Sequence, residues 1–221
     1  MEDLKGKKFV ASFSGGKDSV LALNRAINAG LIPSGLITTY NIDSKRTWFH
    51  GTSEFLLRKA ADSLEIPLNY IRTTGEEYTS NFEKALLDAK SNGIEVCVFG
   101  DIDVQAHFDW CEERCNNTGI IPFFPLRNEE RKKVVYEFID SGFSTMITIV
   151  DTTRMPVEFL GQTLSREVVD AIEKTGADIC GENGEYHTFV YDGPLFSSKV
   201  EFVEVERLKQ DKYALIHIDA L

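Results

Sequence analysis

Phe9-Val10-Ala11-Ser12-Phe13-Ser14-Gly15-Gly16-Lys17-Asp18-Ser19 runs directly into Val20-Leu21-Ala22-Leu23-Asn24-Arg25-Ala26, and the reading of this stretch decides the fold. It is a short apolar strand, a polar turn with two adjacent glycines, and a helix whose apolar residues recur at helical spacing. Adjacent glycines let a backbone take positive φ and approach an anion closely. The helix start delivers N–H groups and the positive end of its dipole to the same point. Ser14 and Ser19 add hydroxyls and Lys17 adds charge, so the turn is suited to phosphate. It is not a Walker loop, because no four-residue spacer precedes a Gly-Lys-Ser/Thr triplet and Asp18 follows Lys17. An ordinary polar turn is the alternative, and six ordered positions in a strand-turn-helix setting outweigh it.

Outward from this turn, Gly35 to Tyr40 reads as a second strand, followed by a polar stretch from Asn41 to Gly51 that holds Arg46, Trp48 and His50. That stretch falls at the carboxyl end of a strand, where open parallel sheets bind ligands. Thr52 or Ser53 can cap the next helix. Pro67 to Arg72 is a third strand, and a helix from Tyr78 to Ser91 closes on Asn92-Gly93. Val96 to Phe99 is a continuous apolar run, as in a strand buried on both faces, and Gly100-Asp101-Ile102 follows it. A helix from Val104 to Asn116 and a strand from Ile120 to Phe123 complete about five alternations, which predict an α/β fold built on a doubly wound parallel sheet.

From Arg127 the rhythm changes. A helix over 129–141, a strand over 145–150, a helix over 165–175, a glycine-rich loop from Gly181 to Gly193 and two antiparallel strands, Val200 to Leu208 and Tyr213 to Ile218, predict a smaller C-terminal α+β domain. The expected division is 1–126 and 127–221.

With 43% hydrophobic and 27% charged residues in 221, the composition is that of a globular protein, which excludes disorder and fibrous folds. A net charge of −11 argues against a general nucleic-acid surface. No apolar run suits a membrane span and the N-terminus lacks a signal-like apolar core, so no membrane partner and a cytoplasmic setting are expected. Cys97, Cys111, Cys115 and Cys180 have neither zinc-ribbon nor thioredoxin spacing, and read as small apolar residues in a reducing compartment.

The second unusual stretch is Cys180-Gly181-Glu182-Asn183-Gly184-Glu185-Tyr186-His187-Thr188, continuing to Asp192-Gly193-Pro194-Leu195-Phe196. Paired carboxylates can hold Mg²⁺ or an ammonium ion, and an imidazole can move a proton near neutral pH. Composition alone favours a solvated turn.

Ser14-Gly15-Gly16-Lys17-Asp18-Ser19 resembles the PP-loop of the ATP pyrophosphatases, the adenine nucleotide alpha hydrolase superfamily. Together with the Gly-Glu-x-Gly-Glu-aromatic-x-Thr pattern over 181–188 and Asp-x-Pro-Leu-Phe over 192–196, it resembles the diphthine-ammonia ligase family. The resemblance implies an AMP-forming carboxylate–ammonia ligase: ATP adenylates an acceptor carboxylate, pyrophosphate leaves, and ammonia displaces AMP to give an amide. It implies that Ser14, Gly15, Gly16, Lys17, Asp18 and Ser19, with Tyr40 and Asp101, bind ATP, and that Asp18 holds Mg²⁺. Lys17, Asp18, Glu182, Glu185 and His187 are implied in catalysis, and His50, Asn183, Gly184, Tyr186 and Thr188 in contacting the acceptor. For His50 and His187 a structural role stays open, and for Asp101 a helix N-cap; His107 and His217 receive no role.

Asn183 stands where the diphthamide-making members carry glycine, and His187 where they carry an acid. A branch with such a loop is connected with cobalamin salvage. The acceptor is therefore either a diphthine-bearing elongation factor or a corrinoid acid, with nitrogen from free ammonia or a separate partner; a homodimer is left open. A tRNA-thiolating PP-loop enzyme would want a basic surface and a Cys-x-x-Cys, and this chain has neither. A non-catalytic ATP-sensing module is the remaining rival, distinguished by its failure to release AMP and pyrophosphate.

Overall fold

The computed structural model describes residues 2–48 and 50–221. In chain order the elements are β1 (Lys8–Ser12), α1 (Lys17–Asn28), β2 (Ile32–Asn41), β3 (Arg46–Thr47), α2 (Glu54–Ser63), β4 (Leu68–Thr73), α3 (Tyr78–Ser91), β5 (Val96–Val98) and α4 (Gln105–Thr118). There follow β6 (Ile121–Phe123), α5 (Arg131–Asp140), β7 (Ser144–Asp151), α6 (Arg166–Thr175), β8 (Tyr186–Asp192), β9 (Phe202–Gln210) and β10 (Tyr213–Ala220). They fall into two compact units. The first holds the chain through Ser14 with 18–48 and 65–128; the second holds 15–17, the segment after Trp48 through Leu64, and 129–221. The sequence split at 126 and 127 left residues 15–17 and α2 with the first part, whereas here they count with the second unit.

In the first unit β4, β2, β1, β5 and β6 pair in parallel, in that order. The chain leaves β1 toward β2 on one side and later returns to β5 on the other, so the order reverses between β1 and β5. Open α/β sheets bind ligands outside the carboxyl ends of the strands at such a point. The central strands earn their place by burial on both faces: Phe9, Val10, Ala11, Val96, Cys97 and Val98 are all buried. Helix α1 buries Val20, Leu21, Leu23 and Ala26, and α4 buries Phe108, Cys111 and Cys115. All four cysteines are free and buried.

β3 was not foreseen. It pairs antiparallel with Tyr40 and Asn41 of β2, whose other edge there carries β4, so β3 takes over the edge that β1 leaves when it ends at Ser12. Trp48 continues this pairing by donating its backbone N–H to the Thr39 carbonyl at 3.1 Å.

The second unit is an antiparallel sheet in the order β8-β7-β10-β9 with helices α2, α5 and α6. Ser53 caps α2 by accepting the Leu56 N–H at 3.1 Å and donates to Asp219 of β10 at 2.6 Å. Ser165 caps α6 in the same way. The expected glycine-rich loop from Gly181 to Gly193 is a turn only as far as Glu185. Tyr186–Asp192 forms β8 beside β7, because its aromatic and β-branched residues fit a pleated, largely buried strand and outweigh the flanking glycines. Among the described residues, no helix is long and apolar enough to cross a membrane.

Candidate active site

In the first unit, the end of β1, the start of α1 and the residues after β5 converge. Ser14 Oγ donates to Ser19 Oγ at 3.2 Å. Gly100 lies against the first turn of α1: a Cβ added there would stand 2.9 Å from the carbonyl carbon of Asp18 and 2.9 Å from the backbone nitrogen of Ser19. No side chain fits between these two backbones. Asp18 falls in the first turn of α1, where a carboxylate is favoured by the helix dipole.

Asp101 is not an N-cap, since α4 begins at Gln105 after Val104. Its carboxylate instead accepts from His107 Nδ1 at 3.1 Å and lies 4.0 Å from Cys111 Sγ. Tyr40 is buried in β2 with the Arg72 guanidinium over its ring, 4.8 Å from the centroid.

In the second unit, the segment Gly15–Lys17 runs beside β8. Val190 donates its backbone N–H to the Gly15 carbonyl at 2.8 Å, and the Lys17 N–H donates to the Thr188 hydroxyl at 3.0 Å. Gly15 takes φ +79, and a Cβ there would meet Leu57 Cδ1 at 2.8 Å, so both conformation and space call for glycine. Lys17 is only 4% exposed, with its Nζ 5.3 Å from the centroid of the Tyr186 ring.

His50 and His187 sit against this lysine, their ring centroids 4.6 Å apart. Nδ1 of His50 lies 3.3 Å from the Thr188 carbonyl. A carbonyl only accepts, so Nδ1 carries the proton and Nε2 is left as the acceptor. Burial first, then the neighbouring His187 and the Lys17 charge, push His50 down to about 3, against the opposing pull of the Thr188 carbonyl. Burial and Lys17 push His187 down to about 4. Both imidazoles are neutral at pH 7.

The turn before β8 is built around two carboxylates. Asp178 accepts the N–H groups of Cys180 and Glu182 and pairs with Arg131 at 2.6 Å. Glu185, buried, accepts from Asn183 N at 3.1 Å and Asn183 Nδ2 at 3.2 Å, with Arg154 Nη1 at 3.5 Å. Gly181 takes φ +73, and a Cβ there would stand 3.0 Å from the Tyr186 ring and carbonyl oxygen.

Beneath Glu185 lies a group the sequence did not single out. Asp151, fully buried at the end of β7, accepts from Lys212 Nζ at 2.7 Å and from Thr153 N and Oγ1 at 3.0 and 2.6 Å. Its own N–H donates to the Glu185 carbonyl at 2.8 Å. Burial raises its carboxyl, but the Lys212 and Thr153 hydrogen bonds outweigh it and leave a net lowering. The one available signal was an acidic residue ending a β-branched run.

A Ser-Gly-Gly-Lys-Asp-Ser turn and a Gly-Glu-Asn-Gly-Glu loop, each with a glycine fixed by its surroundings, occur in one chain in this order. Residues 7–122 match the family model described as diphthamide synthase N-terminal domain, and residues 130–221 match the one described as diphthamide synthase C-terminal domain. The chain belongs to the diphthamide synthase family.

Among relatives of this diphthamide synthase family member, the diphthine–ammonia ligase of Rattus norvegicus is 30% identical over 142 residues, covering 62% of this chain and 53% of the relative. The Homo sapiens ligase is 28% identical over the same shares. The chain thus spans about half the length of these relatives. The Danio rerio ligase is 26% identical over 87% of this chain and 85% of its own. A solved structure titled as a predicted subunit of tRNA methyltransferase from Methanocaldococcus jannaschii aligns with 87% of this chain and 100% of its own, at a TM-score of 0.47 and 14% identity.

Proposed function

We propose that this protein is an ATP-dependent ligase that adenylates the carboxylate of diphthine on a protein acceptor and transfers ammonia to it, releasing pyrophosphate and AMP. Membership of the diphthamide synthase family and the names of the relatives support diphthine over a corrinoid acid. The observation that carries the reading is the Lys17–Thr188 hydrogen bond, which ties the phosphate turn to the loop whose pattern marks the acceptor side.

In this reading the N–H groups of 14–19 and the Lys17 ammonium stabilise charge developing on the α-phosphate. Asp18, in the first helical turn, would hold Mg²⁺, which neutralises phosphate charge when bound. The acceptor carboxylate attacks the α-phosphorus and pyrophosphate leaves. Ammonia then attacks the acyl carbon, AMP departs, and one proton is released.

His50 and His187 bear on that last step. The burial and Lys17 charge that keep both imidazoles neutral also disfavour NH₄⁺ relative to NH₃, and only NH₃ is nucleophilic. Glu185, with its carboxylate engaged by Asn183 and Arg154, shapes the turn, and in this reading the role of meeting ammonia falls to Glu182. Lys17→Ala should abolish diphthine-dependent AMP and pyrophosphate release. Wild-type release rates in that variant would overturn the assignment, and ATP binding without any release would favour a sensing module.

A further inference from the structure

We propose that the outer edge of β9 is a self-pairing surface, on which two copies of this chain join antiparallel, β9 to β9, so that their four-stranded sheets become one continuous sheet. β9 closes the sheet of the second unit, and among the described residues no strand pairs with its outer side. It is nine residues long and exposed over most of its length, with Val203 at 41% and Val205 at 62%. It is also held in place. The Phe202 ring packs edge-on against Phe189 and Tyr191, with centroids 6.1 and 5.4 Å apart, and the other end of the strand turns directly into β10. A long, ordered, exposed edge is a template for a further strand.

A bulge decides which strand fits. His217 and Ile218 of β10 stand opposite Glu206 and Glu204, so Val205 is the extra residue on β9. Leu221 donates its backbone N–H to the Glu201 carbonyl at 3.2 Å. Alternation along β10 then turns the backbone groups of Val203, Glu206, Leu208 and Gln210 inward as well, and those of Phe202, Glu204, Arg207 and Lys209 outward. Across the bulge the outward residues are three apart, where a regular strand has them two apart. A regular strand therefore matches one arm of this edge and loses register on the other. A strand with the same bulge matches both, and a second copy of this chain brings one.

The sequence of β9 is complementary to itself in that register. With the two-fold axis between Val205 and Glu206, Glu204 of one copy lies opposite Arg207 of the other, Phe202 opposite Lys209, and Val203 opposite Leu208. The first two pairs are outward on both strands and exchange backbone hydrogen bonds. Glu204 and Arg207 already pair within the chain at 2.7 and 2.9 Å, so the axis brings two such pairs into one cluster of alternating charge. Without the bulge, only residues an even number apart could meet across the axis. Glu204 would then face Glu206 or its own copy, never Arg207, and like charges directly opposite one another are destabilising. Bulges and charges keep stray strands off an edge; here they do so while admitting a second copy.

Sedimentation velocity on the full-length protein, from about 1 to 100 µM, should show a monomer passing into a dimer. Arg207→Glu and Glu204→Arg each place like charges opposite one another on both sides of the axis, and each should weaken the dimer at least roughly tenfold. Mixed in equal amounts, the two variants should recover dimers, because every glutamate at these positions on one chain then faces an arginine on the other. The double variant Glu204→Arg, Arg207→Glu restores the pairing within and between chains, and should dimerise as the wild type does even if a single variant folds poorly. A wild type that stays monomeric throughout, leaving the edge to some other strand, overturns the proposal. So do single variants that dimerise as strongly as the wild type, or a double variant that stays monomeric.

Discussion

Replacing Thr188 by valine removes one hydroxyl and keeps the shape of the side chain. Thr188 is 3% exposed, and its Oγ1 accepts the Lys17 N–H at 3.0 Å. That N–H belongs to the first turn of α1, whose donors have no intrahelical acceptor, so the hydroxyl acts as a cap from a distant strand. Valine puts a methyl group against the donor. The penalty is that of a buried donor losing its acceptor, about 1–3 kcal/mol, and the overlap in volume adds little. Two readouts follow. Urea unfolding should show the midpoint falling with an unchanged slope, by an amount in this range. Binding of ATP should weaken too, because the phosphate turn loses a support at its lysine. Thr188→Ser, which retains the hydroxyl, should recover most of the binding and lose only the energy of a buried methyl group, roughly 0.8 kcal/mol. If Thr188→Val unfolds within about 0.5 kcal/mol of wild type and binds ATP as tightly, the hydrogen bond contributes nothing and the reasoning fails.

The two histidines make stability depend on pH. Their folded pKa values, about 3 and about 4, lie below the ordinary 6.5, so between these limits the unfolded chain binds more protons. Their stabilisation is complete above pH 6.5 and is lost as pH falls toward 4; by pH 5 each has given up about 2 kcal/mol. The double variant His50→Asn, His187→Asn should flatten the stability profile across that window, and an unchanged profile would contradict it. Gly100→Ala forces a methyl group against the backbone of Asp18 and Ser19, and calorimetry should show a loss of about 1–3 kcal/mol together with weakened ATP binding. Asp151→Ala leaves Lys212 and the Thr153 N–H without their buried acceptor, and chemical denaturation should register roughly 1.5–3 kcal/mol. A loss below that range would show that water replaces the carboxylate at this site.

Local rules made much of the molecule legible. The helix over Tyr78–Ser91, the capping Ser53 and the parallel strands all follow from periodicity and cap chemistry, which act over a few residues. The residues singled out around Lys17 also lie together: Lys17, His50, Tyr186, His187 and Thr188 share one unit and touch one another. Glu185 was equally visible, but its engagement by Asn183 and Arg154 was not. Strand β8 was hidden because glycines at 181, 184 and 193 signal a turn, while the pairing that makes 186–192 a strand comes from β7.

By itself the sequence determined that a polar turn with two adjacent glycines joins the first strand to the first helix, because glycine conformation and helix-end polarity are local properties. Tertiary structure alone decided what supports that turn. The hydroxyl that accepts from Lys17 lies 171 residues away, and His50 meets the Thr188 carbonyl across 138 residues. The neutrality of both imidazoles follows from burial beside Lys17. Such contacts depend on which strands pair and which faces are covered, and no spacing along the chain encodes that.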